Sequence, residues 1–470
     1  MIEKVDTVLK FHTLAVSNPD ELIFGRSPNP VTCGFDLTIG NGQVYPEINF
    51  TLPPISIEEK SWSKVLCHYE EIITSLVRRA KALSLPGLVV EFEQLPEMTQ
   101  NPQWGAEITS LLHTHLKRLY EDHGIPNALR VTVVDLRCRQ TPPILRDSPD
   151  WNLMHESFIC SAQAGADILS IESTGGKEVH DEALLYGDLT GIVAALGILG
   201  CRDMAWLWEQ IVDIAGNYHV IAGGDSACGF SNTAMQLAGK GMLPSVLAAI
   251  DRAASAPRSL EAFEHGAVGP SKDCAYEGPV MKAIAGCPIS MEGKSAVCAH
   301  LSPLGNIAGA MADLWSNESV QNIRLLSGPA PEAFLELLAY DCRLFNAASE
   351  SHDALRLRNW LVAGDVPLSV EALILDPTVV YNLAKTIVAE KGGYARTLAA
   401  VRFACEAIRR AIDEQNMKLN EREVHWFDRL CSEAESIPAD EKSAMIFLKE
   451  KYGHLFLPSS YSTDVTHIFE

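Results

Sequence analysis

Two cysteines and one glutamate have the residue types and local surroundings of a metal site. Cys228 lies in GGDSACGFSN and Cys274 lies in GAVGPSKDCAYEG, so both thiols occur in loops of small and polar residues. Glu172 closes the apolar run DILSIE, where burial of a carboxylate is unfavourable unless a cation or a hydrogen bond compensates it. One carboxylate and two thiolates form a competent zinc set with a fourth position open, so this combination predicts metal-assisted catalysis.

The spacing of these three residues does not identify a metal site by itself. Long stretches of chain separate them, unlike the compact ligand pattern of a zinc finger. Glu172 has an ordinary alternative role, in which it caps a helix or pairs with Lys177 or with another cation. Lys272 stands close to Cys274 in the sequence and favours the thiolate form if the two side chains meet.

Other polar residues near the ends of apolar runs are candidates for moving a proton or binding substrate. Asp225 follows the run VIAGG, Glu91 lies in LVVEFE, and Tyr276 lies in CAYEG. Asp225 is predicted to be catalytic, while Glu91 and Tyr276 are predicted to bind substrate. For each of them a structural hydrogen bond is the ordinary alternative. Glu292 and His300, in MEGKSAVCAH, have roles that the sequence leaves open.

Short β-type runs alternate with helical segments through the middle of the chain. This α/β alternation favours a TIM-type (βα)8 barrel, in which the carboxyl ends of the strands meet at one mouth. Neither G-x-G-x-x-G after a first strand nor G-x-x-x-x-G-K-[ST] occurs, so a nucleotide-binding sheet is not supported. The predicted strands are 87–92, 129–136, 167–173 and 219–224, and the predicted helices include 58–83, 102–124, 180–200, 393–416 and 440–453.

Three regions of the chain differ in residue composition and hydrophobic periodicity. Residues 1–84 are rich in loop-forming residues and predict an N-terminal arm and a helix packed on the barrel. Residues 85–340 are predicted to form the barrel itself. Residues 341–470 predict a C-terminal helical layer, and the lack of a low-complexity linker indicates that this layer packs on the barrel.

The composition is that of an ordinary globular chain. Of 470 residues, 47% are apolar and 21% are charged, and the formal net charge is −22. This acidity repels phosphate backbones and anionic lipids, so we expect neither nucleic acid nor a membrane as a partner. The apolar run 189–201 is too short to cross a bilayer and predicts a buried helix. The N-terminus lacks a secretory pattern and the 12 cysteines show no CxxC, so we expect reduced thiols in the cytoplasm.

A series of sequence blocks between residues 24 and 342 carries a resemblance to a known family. The blocks are FGRSPNPVTCGFDLTIGNGQVYPEINF, NPQWGAE, DILSIESTGGKEV, GGDSACGFSNTAM, SAPRSLEAFEHGAVGPSKDCAYE, MEGKSAVCAH, WSNESV and LAYDC. They resemble the methanol:corrinoid methyltransferases, the zinc-containing substrate subunits of methanol-cobalamin methyltransferase systems. The resemblance implies a βα barrel with added helices and a zinc ion held by Glu172, Cys228 and Cys274.

The resemblance also implies a reaction and a partner. The methyl group of methanol is expected to pass to the cobalt(I) of a corrinoid, a cobalamin, while zinc polarises the alcohol oxygen. The chain has no D-x-H-x-x-G block for a corrinoid, so the cofactor is expected on a cognate corrinoid protein that docks at the barrel mouth. A homo-oligomer, or a hetero-oligomer with that protein, is expected. Cobalt(I) implies anaerobic one-carbon metabolism, as in methanogenesis or acetogenesis.

Two alternatives to methanol transfer stay open at the level of sequence. In one, the same zinc barrel acts on another small methyl donor, such as a methoxylated compound or a related alcohol. In the other, the chain is a non-catalytic subunit that only binds a corrinoid protein. Removal of the metal would leave the function of such a binding subunit intact.

Overall fold

The strands form a central sheet and two small hairpins. The computed structural model describes residues 10–52, 55–320, 324–325 and 328–461. The strands are β1 (Arg26–Cys33), β2 (Leu37–Asn41), β3 (Tyr45–Thr51), β4 (Leu88–Glu93), β5 (Asn127–Val133), β6 (Ile168–Ile171), β7 (Ile221–Ala222), β8 (Ser290–Glu292), β9 (Leu314–Val320), β10 (Arg324–Leu325) and β11 (Gly328–Pro329). The predicted strands at 87–92, 129–136 and 167–173 correspond to β4, β5 and β6, while the run at 219–224 contributes only the short β7.

Seven parallel strands curl into a barrel in the order β7-β6-β5-β4-β3-β9-β8. An irregular segment fills the position between β7 and β8. Its Val268 amide donates to the carbonyl of Ala222 at 2.9 Å, and its Ser271 amide donates to the carbonyl of Pro288 at 3.3 Å. This segment joins the two edges of the sheet, so the predicted TIM-type barrel is confirmed.

Helices cover the barrel and continue beyond it. They are α1 (Trp62–Ala82), α2 (Pro96–Gln100), α3 (Pro102–His123), α4 (Pro149–Ala164), α5 (Lys177–Tyr186), α6 (Leu189–Ala194), α7 (Cys201–Tyr218), α8 (Thr233–Gly239), α9 (Ser245–Glu264), α10 (Gly278–Ala285), α11 (Lys294–Ala299), α12 (Ala330–Glu350), α13 (Ala354–Asp365), α14 (Val370–Ile374), α15 (Pro377–Ala389), α16 (Gly393–Asp413), α17 (Glu421–Ser436) and α18 (Glu441–Tyr452). The helices predicted at 58–83, 102–124, 393–416 and 440–453 correspond to α1, α3, α16 and α18.

The most apolar helical stretch lies in the core. A π-helical segment, Ala195–Gly200, joins α6 to α7, and the resulting stretch Leu189–Tyr218 has the length and composition of a membrane-spanning helix. Of its most apolar window, 78% is buried inside the protein, which confirms the buried helix predicted at 189–201. The helix predicted at 180–200 is interrupted, because Gly187 has φ +61° and ends α5 before the N-cap of α6.

The barrel interior changes from apolar to charged along the strands, because alternate residues of each strand point inward. Near the amino ends of the strands, one apolar cluster joins the β1–β2 hairpin to four barrel strands; its members are Cys33, Leu37, Ile39, Val89, Ala128, Ile168 and Leu314. Above this cluster, Arg130 donates to Glu47 at 2.6 Å, with both side chains fully buried. The hairpin therefore closes one end of the barrel, and polar residues line the other.

The barrel extends beyond the predicted boundaries at residues 85 and 340. β3 lies inside the sheet between β4 and β9, so the sheet begins at Tyr45, within the region predicted as an arm. α12 spans the predicted boundary at residue 340. The residues before β1 do pack on the barrel, since the Ala15 amide donates to the carbonyl of Ala283 at 2.9 Å. The division into three regions otherwise stays a prediction.

Candidate metal centre

The structure brings together the three residues that the sequence singled out as metal ligands. Glu172 is the first residue after β6, Cys228 begins the π-helical turn Cys228–Asn232 beyond β7, and Cys274 precedes α10. One ligand atom from each residue lies within 4.8 Å of the others. The carboxyl ends of the barrel strands thus place three residues that are distant in sequence at one point of the mouth.

Two glycines let the backbone reach these positions. Gly223 directly follows β7, and a Cβ atom there would lie 2.7 Å from Cγ2 of Ile168, so the close approach of β7 to β6 requires a glycine. Gly176 adopts φ +85° at the N-cap of α5, a conformation that disfavours side chains. These backbone requirements explain the GG pairs that follow Glu172 and precede Cys228.

A network of hydrogen bonds holds the two thiols and the carboxylate. The Cys274 thiol donates to Oε1 of Glu172 at 2.8 Å. Oγ of Ser226 lies 3.1 Å from Sγ of Cys274 and accepts from the Cys228 amide at 3.2 Å. Ser226 therefore links both thiol loops, a role that sequence reasoning missed because nothing distinguishes this serine from other loop serines.

Burial makes all three side chains hold their protons more tightly. It raises the pKa of Glu172 to about 7 although Lys272 acts in the opposite direction, and it raises the pKa of Cys274 well above its usual value. The hydrogen bond with Cys274 lowers the pKa of Cys228, but burial and the Glu172 and Glu292 carboxylates outweigh it and raise that pKa to about 11. A divalent metal that binds here must displace these protons.

Lys272 is the cation that compensates the acidic residues beneath the candidate centre. Its buried Nζ lies 2.5 Å from Asp273, 3.2 Å from Glu91, and 3.4 Å from both Glu93 and Glu172. Burial opposes the charge on Lys272, but Asp273, Glu91 and Glu93 outweigh it and raise the pKa of Lys272 well above its usual value. The ammonium group therefore stays charged and holds the Glu172 carboxylate in position.

Lys177, the cation named from the sequence as a partner of Glu172, has other contacts. Its Nζ lies 2.6 Å from Asp181 and donates to the carbonyl of Gly229 at 2.8 Å. The expected pairing with Lys177 is therefore wrong, and the alternative of another cation holds. Sequence proximity favoured Lys177, whereas the barrel brings Lys272 across from a different loop.

Asp225 ties the two sides of the candidate centre together. Its Oδ1 accepts from the amides of Ser173 at 3.2 Å and Ser226 at 2.7 Å, and its Oδ2 accepts from Nε1 of Trp208 at 3.2 Å. Ser173 follows Glu172 directly, so these bonds fix both the carboxylate loop and the thiol loop. The catalytic role of Asp225 stays a prediction, and its contacts are those of a positioning residue.

The two predicted substrate-binding residues are both buried but have different contacts. Glu91 is fully buried, accepts from Oγ1 of Thr132 at 2.6 Å and contacts Lys272. Tyr276 lies nearer the thiols and donates to Oε2 of Glu292 at 2.7 Å. Substrate binding by Glu91 and Tyr276 stays a prediction, and the structure adds Glu292 to the groups beside the candidate centre.

Comparison with known proteins gives the family of the chain. The model of the methanol-cobalamin methyltransferase B subunit family matches residues 8–462. The chain belongs to this family. The methanol–corrinoid protein co-methyltransferase of Methanosarcina barkeri (strain Fusaro / DSM 804) is 36% identical over 459 residues, which cover 96% of this chain and 99% of that protein. The resemblance stated from the sequence blocks is confirmed.

The fold agrees with this membership of the methanol-cobalamin methyltransferase B subunit family. A chain in the crystal structure of the methanol:cobalamin methyltransferase complex MtaBC from Methanosarcina barkeri matches with a TM-score of 0.93 and 36% identity. The match covers 96% of this chain and 99% of that chain. The chain therefore shares its overall fold with that solved relative.

In the present chain, a buried ion pair packs against the turn that begins with Cys228. Nε2 of His180 lies 2.9 Å from Oδ1 of Asp251, and its ring centroid lies 5.0 Å from that of Phe230, within the turn. Burial opposes the charge on His180, but Asp251 and Asp181 outweigh it and raise its pKa from 6.5 to about 9. His180 is thus charged at neutral pH.

This pair should make stability depend on pH. Because the pKa of His180 is higher in the folded state, the stabilisation is complete below pH 6.5 and is lost as pH rises through about 9. We expect the free energy of unfolding to fall over this range by about 3 kcal/mol more in the native chain than in His180→Gln. Urea unfolding at both ends of the range measures this difference. Equal pH dependence in the two proteins would contradict it.

Proposed function

We propose that the chain is a zinc-dependent methanol:corrinoid protein methyltransferase, which passes the methyl group of methanol to the corrinoid of a separate protein. Membership of the methanol-cobalamin methyltransferase B subunit family supports this activity. The observation that carries the proposal is the convergence of the Glu172, Cys228 and Cys274 ligand atoms within 4.8 Å.

The donor set fits zinc in composition and in access. Two thiols and one carboxylate are three of the four ligands that a tetrahedral zinc ion takes, and the fourth position is then open to substrate. The Glu172 side chain keeps 30% of its surface exposed, so the candidate centre opens to the barrel mouth. When bound there, zinc supplies Lewis acidity that polarises the oxygen of an alcohol and makes hydroxide a better leaving group.

The residues of the chain prepare this centre. Glu172, Cys228 and Cys274 would hold the metal as deprotonated donors, and their three negative charges would moderate the charge of the ion. Lys272 and Ser226 hold the carboxylate and the thiol loops in position. Cys274 is buried while Glu172 and Cys228 are partly exposed, so the donors lie where a medium of low dielectric constant, in which charge interactions are strong, meets the barrel mouth.

We propose that the corrinoid arrives on a partner protein at the barrel mouth. The solved relative is a methanol:cobalamin methyltransferase complex, which supports a partner of this kind. We place the chain in the cytoplasm of an anaerobic cell, because its cysteines are free and cobalt(I) is readily oxidised. We also propose that the chain forms a hetero-oligomer with the corrinoid protein or a homo-oligomer with further copies of itself.

Metal removal and restoration test the proposal. We expect the purified, zinc-loaded chain to methylate a cob(I)alamin carrier in the presence of methanol, and a chelator to abolish the rate until zinc is returned. Absorbance changes of the corrinoid report the rate, and parallel metal analysis reports occupancy. A rate that is independent of zinc, or that is absent with the cognate corrinoid protein, would overturn the proposal.

A further inference from the structure

We propose that Glu292 binds the hydroxyl group of the substrate and so selects alcohols over methyl ethers. This inference rests on the proposed function and goes beyond it, because it assigns substrate choice to a carboxylate outside the metal-binding set. It also bears on the methoxylated donors that the sequence left open as an alternative.

Glu292 lies beside the candidate metal centre. It is the last residue of β8, and Ser290, two positions earlier, contacts Glu47 inside the barrel, so the alternation of the strand turns Glu292 inward as well. Tyr276 follows Cys274 by two residues and donates to Oε2 of Glu292 at 2.7 Å. The backbone that carries a thiol ligand thus also fixes this carboxylate.

One oxygen of Glu292 is fully engaged and the other is not. Oε2 accepts from Tyr276 and lies 3.1 Å from Nδ1 of His300, and the carboxylate is completely buried. Oε1 is also buried, and within the described parts of the chain no donor reaches it. A buried acceptor without a donor is unfavourable, so a ligand that brings a hydroxyl proton to this position removes that penalty.

A second buried carboxylate, that of Glu91, also has a buried oxygen that no donor reaches within the described residues, but Glu91 contacts a different side chain. Lys272 contacts both Glu91 and Glu172, and Thr132 donates to Glu91 at 2.6 Å. Glu91 is therefore linked to the centre through the Lys272 ammonium group. Glu292 is linked to the centre through Tyr276, which lies in the same loop as Cys274. Oε1 of Glu292 is therefore the better acceptor for a ligand held beside the thiols.

The selectivity follows from hydrogen-bond complementarity. An alcohol keeps a hydroxyl proton for Oε1 of Glu292 and uses an oxygen lone pair toward the metal position. The oxygen of a methyl ether carries no proton, so its binding leaves Oε1 buried and unpaired. Sites built to bond a hydroxyl group reject analogues that lack it by large factors, because their own polar atom loses its partner.

Glu292→Gln tests this inference with little change of shape. Tyr276 and His300 hold the amide oxygen of glutamine on their side, so its NH2 group faces the substrate and donates where the native oxygen accepts. With the zinc-loaded enzyme and its corrinoid protein, we expect KM for methanol to rise at least ~10-fold. The inhibition constant of dimethyl ether should fall relative to that of ethanol, and zinc content should stay at the native value.

Two further variants keep the result interpretable. Glu371→Gln changes a buried carboxylate on α14 that bonds Ser369, and should leave methanol kinetics and the ether-to-alcohol ratio unchanged. If Glu292→Gln does not fold, Tyr276→Phe removes one donor from Oε2 and should raise KM for methanol several-fold with zinc retained. Native KM and a native ether-to-alcohol ratio in the folded variant would overturn the inference. A native enzyme inactive with methanol would instead overturn the proposed function.

Discussion

Cys228→Ala and Cys274→Ala are each expected to lose bound zinc and to lower kcat/KM for methanol on the order of a thousand-fold. Each change removes one of three donors whose atoms lie within 4.8 Å, and two remaining donors hold the ion poorly. Loss of a Lewis acid worth several kcal/mol corresponds to this factor in rate. Metal analysis and corrinoid methylation assays on the same samples measure both effects.

Cys405→Ala is the matched control for the thiol variants. Cys405 is a buried cysteine on α16 that bonds Cys431 on α17, and its loss should change neither zinc content nor rate. Glu172→Gln should weaken zinc binding less severely than the thiol variants, because an amide oxygen can still coordinate. Native zinc content and a native rate in all three ligand variants would refute the assignment of the donors.

Lys272→Met is expected to reduce the free energy of unfolding by about 3–5 kcal/mol. The ammonium group contacts Glu91, Glu93, Glu172 and Asp273, and its side chain is almost completely buried. Its removal leaves several carboxylates close together in a medium of low dielectric constant. Denaturant unfolding of the metal-free protein, monitored by circular dichroism, measures the loss without interference from zinc.

Lys294→Met provides the comparison for that loss. Lys294 pairs with Asp341 at 3.1 Å, but its side chain is 46% exposed, so the pair is worth less than about 1 kcal/mol. A Lys272→Met protein as stable as the Lys294→Met protein would show that the buried carboxylates are compensated in another way. Glu91→Gln combined with Lys272→Met should recover part of the stability, because it removes one uncompensated charge.

Much of the fold could be predicted from the sequence because its signals are local. The apolar runs that became β4, β5 and β6, and the amphipathic segments that became α3 and α16, carry their own periodicity. β3 was assigned to an arm because the N-terminal stretch that contains it is dense in proline, glycine and asparagine. Glu47 and Asn49 of this strand contact Arg130 and Glu93 in the polar barrel interior, and these contacts depend on strands distant in sequence.

The metal-binding residues of the candidate site could be predicted from the sequence, but the residues that hold them in position could not. Glu172, Cys228 and Cys274 stood out because a carboxylate after an apolar strand and thiols in polar loops are unusual, and the family blocks added their grouping. Lys272 and Ser226 act through contacts between loops of different βα units, and local sequence holds no signal for such contacts. The same reason explains why the nearby Lys177 was the more obvious, and incorrect, partner of Glu172.

The most direct measurement is X-ray absorption at the zinc edge of the purified, zinc-loaded chain. A centre built from Glu172, Cys228 and Cys274 predicts two sulfur neighbours at about 2.3 Å and oxygen neighbours at about 2.0–2.2 Å. In Cys228→Ala, any residual zinc signal should show at most one sulfur neighbour. A native spectrum without sulfur neighbours, or with four of them, would contradict this centre and the mechanism that depends on it.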